Sequence, residues 1–217
     1  MYSYIDPKFY YKLQKIVSCD NSLIGYEVLL DFSKAKNCIP NKLTTYYESI
    51  DNGTALEYLL YTLLNNQQFL FNTKLFINVE RRELCNIFNL IAIIAVSKKL
   101  LEMNAIELVV EVTERKSIDS DAVYVISSLN YLKSHNISLA VDDFDIYNDD
   151  FRFNEVNLCI YDIIKIRIPQ SVDEAIIFNS FVSERKEKVI LELVEDRFVI
   201  EQFGLTSVYG YQGFAYG

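Results

Sequence analysis

Eight short apolar runs, each carrying a polar residue near its end, constrain this chain more than any other feature. They are LQKIVSC from Leu13, LIGYEVLLDF from Leu23, LFINVE from Leu75 and ELVVEVTE from Glu107, followed by ISLAVDDF from Ile137, DIIKIRI from Asp162, KVILELVE from Lys188 and VYGYQGFAY from Val208. All are rich in the β-branched, aliphatic and aromatic residues that suit a pleated, buried surface. The intervals carry helical spacing. Leu56, Leu59, Leu60, Leu63 and Leu64 share one face, as do Leu84, Phe88 and Ile91, and again Ala122, Val125, Ile126 and Leu129. Ser171 and Glu174 form a capping-box pattern ahead of AIIFNSFV. Strands alternating with helices predict an α/β fold, a (β/α)8 TIM-type barrel. Only six Gly and three Pro occur and no linker-like stretch divides the chain, so residues 1–217 read as one domain. The eighth run reaches almost to the last residue, which leaves no final helix to cover it. Either the barrel stays open there, or a partner covers it.

The charge and cysteine content exclude several functions. A formal net charge of −9 argues against a nucleic-acid partner, because neutralising phosphates takes clustered Lys and Arg. Cys19, Cys38, Cys85 and Cys159 show no CxxC spacing, so a zinc knuckle or disulfide framework is not expected. The single His135 lies in a polar patch and reads as a solvated linker residue. The start of the chain lacks the pattern of a signal peptide, and the apolar run Leu90 to Val96 is too short for a bilayer. These features predict a cytoplasmic protein without a membrane partner.

In a strand, alternate side chains share a face. Glu27, Asn78, Glu111, Asp142, Lys165, Glu192 and Gln212 each stand near the end of an apolar strand run. Facing inward, they converge on the mouth of the barrel, where barrel enzymes do their chemistry. Asp142 and Asp143 cannot both point inward from a regular strand, so the strand is expected to end there and a turn to swing Asp143 in. Five carboxylates in one mouth (Glu27, Glu111, Asp142, Asp143, Glu192) repel, and without a cation some must hold protons. An all-oxygen set with one amide and no Cys or His suits a hard ion, Mg²⁺ or Mn²⁺, one or two in number. Two such ions can clamp a phosphodiester and activate water.

With these motifs the chain resembles EAL domains, bacterial phosphodiesterases that hydrolyse cyclic di-GMP to pGpG. The Glu-Ala-Leu signature corresponds to Glu27-Val28-Leu29, and the strand bearing a metal-binding Asn to FINVE. Glu-x-Thr-Glu corresponds to Glu111 through Glu114, Asp-Asp-Phe to Asp142 through Phe144, and Asp-x-x-Lys-Ile to Asp162 through Ile166. Glu-Gly-Val-Glu is Glu192 through Glu195, and Gln-Gly-Tyr is Gln212 through Phe214. The resemblance implies metal ligation by Glu27, Asn78, Glu111, Asp142 and Asp143. It implies that Lys165 positions the attacking water, that Glu192 serves a metal or the water, that Glu114 anchors a loop, and that Gln212 lines the site.

The departures fall on substrate contacts. Asp31 replaces a family Arg that grips a substrate phosphate, exchanging two donors and a charge for an anion. Arg167 replaces a family Asp on the same strand face as Lys165, and is expected to lend a cation near the metals. The glycine-containing loop after Asp-Asp-Phe becomes DIYNDD, in which Asp145, Asp149 and Asp150 are expected to repel phosphate. Activity on cyclic di-GMP is thus expected to be weak or conditional. The alternative is a catalytically degenerate domain that acts through protein contacts, as a homodimer or with a regulatory protein, or that senses cyclic di-GMP.

Overall fold

The computed structural model describes residues 11–31, 54–65, 70–113, 122–205 and 207–216. Eight strands close into a barrel in sequential order: β1 (Tyr11–Val17), β2 (Leu23–Leu30), β3 (Lys74–Val79), β4 (Glu107–Val112), β5 (Ser138–Val141), β6 (Ile163–Arg167), β7 (Lys188–Glu192) and β8 (Gly210–Gln212). Each of the eight apolar runs contributes one strand. One feature departs from the regular alternation, because β1 runs antiparallel to both β2 and β8. The connection between β1 and β2 is a tight turn, with Ser18 N–H donating to Ser22 O at 2.9 Å and Asn21 left-handed at φ 63°. A turn this short can only reverse the chain, since a parallel crossover needs a dozen or more residues.

Among the described residues six helices pack outside: α1 (Thr54–Asn65), α2 (Ile87–Asn104), α3 (Ala122–Ser134), α4 (Phe153–Asn157), α5 (Val172–Ser183) and α6 (Phe198–Gln202). The expected faces of α1 and α3 hold: Leu56, Leu59, Leu60 and Leu63 are buried, as are Val125 and Leu129. The face expected from Leu84, Phe88 and Ile91 does not. Phe88 is 77% and Ile91 51% exposed, while Leu90, Ile93, Ile94 and Leu100 face the sheet. Asn86 is the reason. Its side chain caps the helix by accepting from Phe88 N–H, which leaves Leu84 in a preceding 3₁₀ turn and out of phase with the helix. The uniformly apolar run Leu90–Val96 within the helix gives periodicity nothing to distinguish there. The capping box is half realised: Ser171 accepts from Glu174 N–H, but the Glu174 carboxylate turns to Arg167 and Gln170 N–H.

The eighth strand does not leave the barrel open. Gln212 and Tyr211 pair with Ile16 and Val17 of β1, closing the sheet. Outward-facing Tyr211 is 4% exposed, donates to Leu205 O at 2.9 Å, and stacks on Tyr216 from the 3₁₀ turn Phe214–Tyr216. That turn folds back because Gly213 adopts φ 153°, where a Cβ would lie 2.3 Å from Val194 O. Among the described residues no helix is long and apolar enough to cross a membrane. Cys19, Cys85 and Cys159 are exposed free thiols; Cys38 lies outside the described residues. His135 is half-buried beside the Tyr131 ring, within hydrogen-bond distance of Tyr131 O.

The barrel interior is layered. Ile16, Phe76, Val109, Ala140, Ile163 and Ile190 form an apolar plug. Two residues further along their strands, toward the mouth, stand Asn78, Glu111, Asp142, Lys165 and Glu192. The period of two therefore places a polar layer directly above a dry one.

Outside this layer, the 3₁₀ turn buries Glu83, whose carboxylate accepts from Glu80 N–H at 2.8 Å. Burial pushes its pKa from 4.5 to about 7, with the charge of Glu80 adding to the rise. A carboxyl raised in the folded state adds its full stability below pH 4.5 and loses it as pH climbs through about 7. Denaturant titrations across that window are expected to show the wild type losing on the order of 3 kcal/mol relative to Glu83→Gln. Parallel pH profiles for the two proteins would contradict this assignment.

Candidate functional site

Lys165 occupies the centre of the polar layer. Its Nζ lies 2.8 Å from Asp142 Oδ1, Glu111 Oε1 and Glu192 Oε1, and 3.1 Å from Glu27 Oε2, and its side chain is fully buried. β6 delivers it there from the row above Ile163. Burial opposes the ammonium charge, but the surrounding carboxylates of Asp142, Glu111, Glu192 and Glu27 outweigh it and hold the pKa well above the ordinary lysine value. One ammonium cannot neutralise them all, and the carboxylates diverge accordingly. Burial, reinforced by the charge of Glu27, raises Glu111 well above the usual range. Burial likewise raises Glu192 to about 8, with Asp142 and Asp143 adding to it. Burial also works against Glu27, yet the charge of Lys165 and hydrogen bonds from Gln212 and Asn78 bring it below its ordinary value. Sharing one cation thus drives Glu27 toward its ionised form and Glu111 and Glu192 toward their protonated forms.

Each residue inferred from the strand ends takes a definite place. Asn78 Nδ2 donates to Glu27 Oε1 at 2.8 Å, and Gln212 Nε2 donates to Glu27 Oε2. Asp142 and Asp143 follow the last residue of β5, so the strand does end at the pair. Asp143 is left-handed at φ 47° and exposed; the turn brings its carboxylate near enough to raise Glu192 without inserting it into the buried layer. Asp31 lies just beyond β2 and is half-buried. Glu114 lies outside the described residues.

Two expectations about charge need correction. Arg167 does not lend a cation to the carboxylates: its guanidinium forms a two-pronged ion pair with Glu174 at 2.7 and 2.8 Å and stacks 4.2 Å from the Tyr147 ring centroid. The planar fork finds a matching carboxylate on α5, which draws it away from the cluster. Nor are the acids of DIYNDD uniformly exposed to an approaching phosphate. Asp150 is buried and paired with Arg152, and Asp145 accepts from Tyr147 and Asn148 N–H groups. Asp149 remains exposed.

Two polar residues were missed. Gln14 of β1 accepts from Gln212 Nε2 at 3.3 Å, opposite Glu27 in register, and its even spacing from Ile16 could have placed it on the inner face. Arg152 binds the backbone of the Asp142–Asp143 pair from ten residues downstream. No periodicity signals it, because a loop brings it back.

The donor chemistry fits a hard divalent cation. Glu111 Oε2, Glu192 Oε2, Asn78 Oδ1 and Gln212 Oε1 are buried without accepting a hydrogen bond, while Glu111 Oε1 is met by Lys165 Nζ. Such orphaned oxygens are costly unless something positive meets them. Among the described residues no three acidic, His or Cys side chains already converge on one point spaced for a metal ion. The carboxylates close around Nζ instead. Glu27, Asn78, Glu111, Asp142 and Asp143 are the residues that would hold the cation.

Removing the ammonium should therefore be severe. Lys165→Met is expected to cost about 3–5 kcal/mol in urea unfolding, as breaking a buried ion pair does. Millimolar Mg²⁺ or Mn²⁺ should restore part of that loss. A variant as stable as wild type, or one that ignores divalent cations, would show that Lys165 does not hold the carboxylates together.

The family model of the EAL domain matches residues 5–217. Among solved structures, the FimX EAL domain from Pseudomonas aeruginosa bound to cyclic di-GMP aligns with TM-score 0.72 and 19% identity, covering 95% of this chain and 88% of that one. The PaMucR phosphodiesterase in complex with cyclic di-GMP aligns with TM-score 0.72 and 19% identity over 97% of this chain and 96% of that one. The Bacillus subtilis YkuI protein, in complex with substrate cyclic di-GMP and calcium, gives TM-score 0.67 and 19% identity, covering 98% of this chain and 58% of that one. No curated protein sequence matches. These structures share the barrel, and the family match runs from the first strand to the residues after the eighth: the chain belongs to the EAL domain family.

Proposed function

We propose that the barrel mouth hydrolyses a cyclic dinucleotide phosphodiester, cyclic di-GMP to pGpG, with Mg²⁺ or Mn²⁺ as cofactor. The observation that carries this reading is the gathering of the Glu27, Glu111, Asp142 and Glu192 carboxylates around Lys165 Nζ, with Asn78 bonded to Glu27. The divalent cations would hold the phosphodiester and acidify a water. Lys165 Nζ, held on four sides, is placed to orient that water, and Glu192 Oε2, which accepts no hydrogen bond, is placed to take its proton. Cyclic di-GMP in the complexes of FimX, PaMucR and YkuI supports the choice of substrate.

Substrate grip is the weak part of the site. Asp31 stands where the family carries a phosphate-binding Arg. Among the described residues, four cations of the barrel's loops and strand ends are engaged with acids: Lys165 with the buried carboxylates, Arg167 with Glu174, Arg152 with Asp150 and Arg81 with Glu155. This favours low affinity for a dianion, and it gives the second reading its support: a degenerate domain that senses cyclic di-GMP or acts through a homodimer or regulatory protein contact.

Incubation of the purified protein with cyclic di-GMP and Mn²⁺ or Mg²⁺ separates the two. Slow formation of pGpG is expected, and Asp31→Arg should lower KM about tenfold to a hundredfold, the value of one charge-assisted contact. Absence of product with either metal, in wild type and in Asp31→Arg, would overturn the enzymatic reading in favour of the second.

A further inference from the structure

Arg152 has no charged substrate to meet. It is fully buried at the start of α4, and all five of its N–H donors are spent. Nε and Nη2 bind the two Asp150 carboxylate oxygens at 3.0 and 2.7 Å. Nη1 donates to Asp142 O at 2.6 Å and Val112 O at 3.4 Å, and Nη2 donates to Asp143 O at 3.0 Å. Asp150 is fixed in turn by accepting from Asp145 and Arg152 N–H groups. The rings of Phe144 and Phe151 lie 5.8 and 5.6 Å from the guanidinium carbon.

We infer that Arg152 is a positioning residue that sets the aim of the Asp142 and Asp143 carboxylates. The inference rests on the proposed metal-dependent function of the mouth. Asp143 holds a left-handed backbone without being glycine, a conformation that persists only where its surroundings over-determine it. The guanidinium supplies that constraint by gripping the carbonyls of the two peptides that flank the Asp143 Cα, Asp142 O and Asp143 O, and tying them to Val112 O at the end of β4. The segment DIYNDDFR thus carries the clamp on the aspartate pair that precedes it. Its buried Asp150 serves to orient the arginine.

The test compares Arg152→Lys, Asp150→Asn and a control, Val125→Ala, which opens a cavity under α3 away from the mouth. Lysine keeps the charge but cannot span both carbonyls and Asp150 together. In the metal-free proteins, hydrogen exchange is read at Asp142 N–H, bonded to Val112 O, and at Phe144 N–H, bonded to Lys165 O, each relative to amides inside β4. Both are expected to exchange at least about tenfold faster in Arg152→Lys, less so in Asp150→Asn, and unchanged in the control. Calorimetric Mn²⁺ affinity should fall about 10- to 100-fold in Arg152→Lys, as with other groups that orient metal ligands. Unchanged exchange in folded Arg152→Lys, or in Asp150→Asn if the former does not fold, would overturn the assignment. So would an equal change in the control. Failure of the wild type to bind Mn²⁺ would instead overturn the proposed function, while the exchange comparison would still decide whether the clamp exists.

Discussion

The structure turns on one buried ammonium. Lys165 sits above an apolar plug and inside a ring of carboxylates, where water cannot screen either partner. Taken alone, each of those carboxylates is an expensive group to bury. Together with Lys165 they form a cluster that is tolerable but under-neutralised, which is why Glu111 and Glu192 are driven toward their protonated forms while Glu27 is not. A cluster short of positive charge and rich in unbonded oxygen is a poor device for stability. It is a good device for capturing a divalent cation, since the ion's arrival removes the deficit.

The barrel exists to hold that cluster at one depth. Strand periodicity sets the Ile163 and Ile190 layer below and the Lys165 and Glu192 layer above. Hairpin closure through antiparallel β1 completes the ring by bringing Gln14 and Gln212 to Glu27. Beyond the strands the constraint passes to loops. Asp142 and Asp143 lie after the end of β5, so the sheet cannot aim them, and a buried arginine takes over. Among the described residues, two cations near the mouth are committed to other acids: Arg167 to Glu174 and Arg152 to Asp150. On the proposed reading, metal capture and substrate grip are separable properties, because the candidate metal-holding residues meet in the mouth while Arg167 and Arg152 are paired with other acids.

Much of this was legible in the residue order. A period of two placed Glu27, Asn78, Glu111, Lys165 and Glu192 on one inner face, and the apolar runs located all eight strands. What escaped depended on information that periodicity does not carry. The face of α2 was misjudged because Asn86 reset the helix start within a uniformly apolar segment. The direction of Arg167 depended on a carboxylate seven residues away on another element. Arg152 was invisible because its partners are backbone carbonyls, which every residue possesses. The same holds for Asp150, whose role is to hold an arginine rather than to face solvent.

Crystals soaked with Mn²⁺ and measured for anomalous scattering address the central claim most directly. A peak in the barrel mouth, about 2.1 Å from oxygens of Glu27, Asn78, Glu111 and Asp142, is the expected result. Lys165 Nζ should then have moved off at least one of its carboxylates. Crystals that bind Mn²⁺ only at surface acids, with Lys165 still surrounded by all four carboxylates, would show that the ammonium is the permanent counter-ion of this site and that the mouth is not a metal centre.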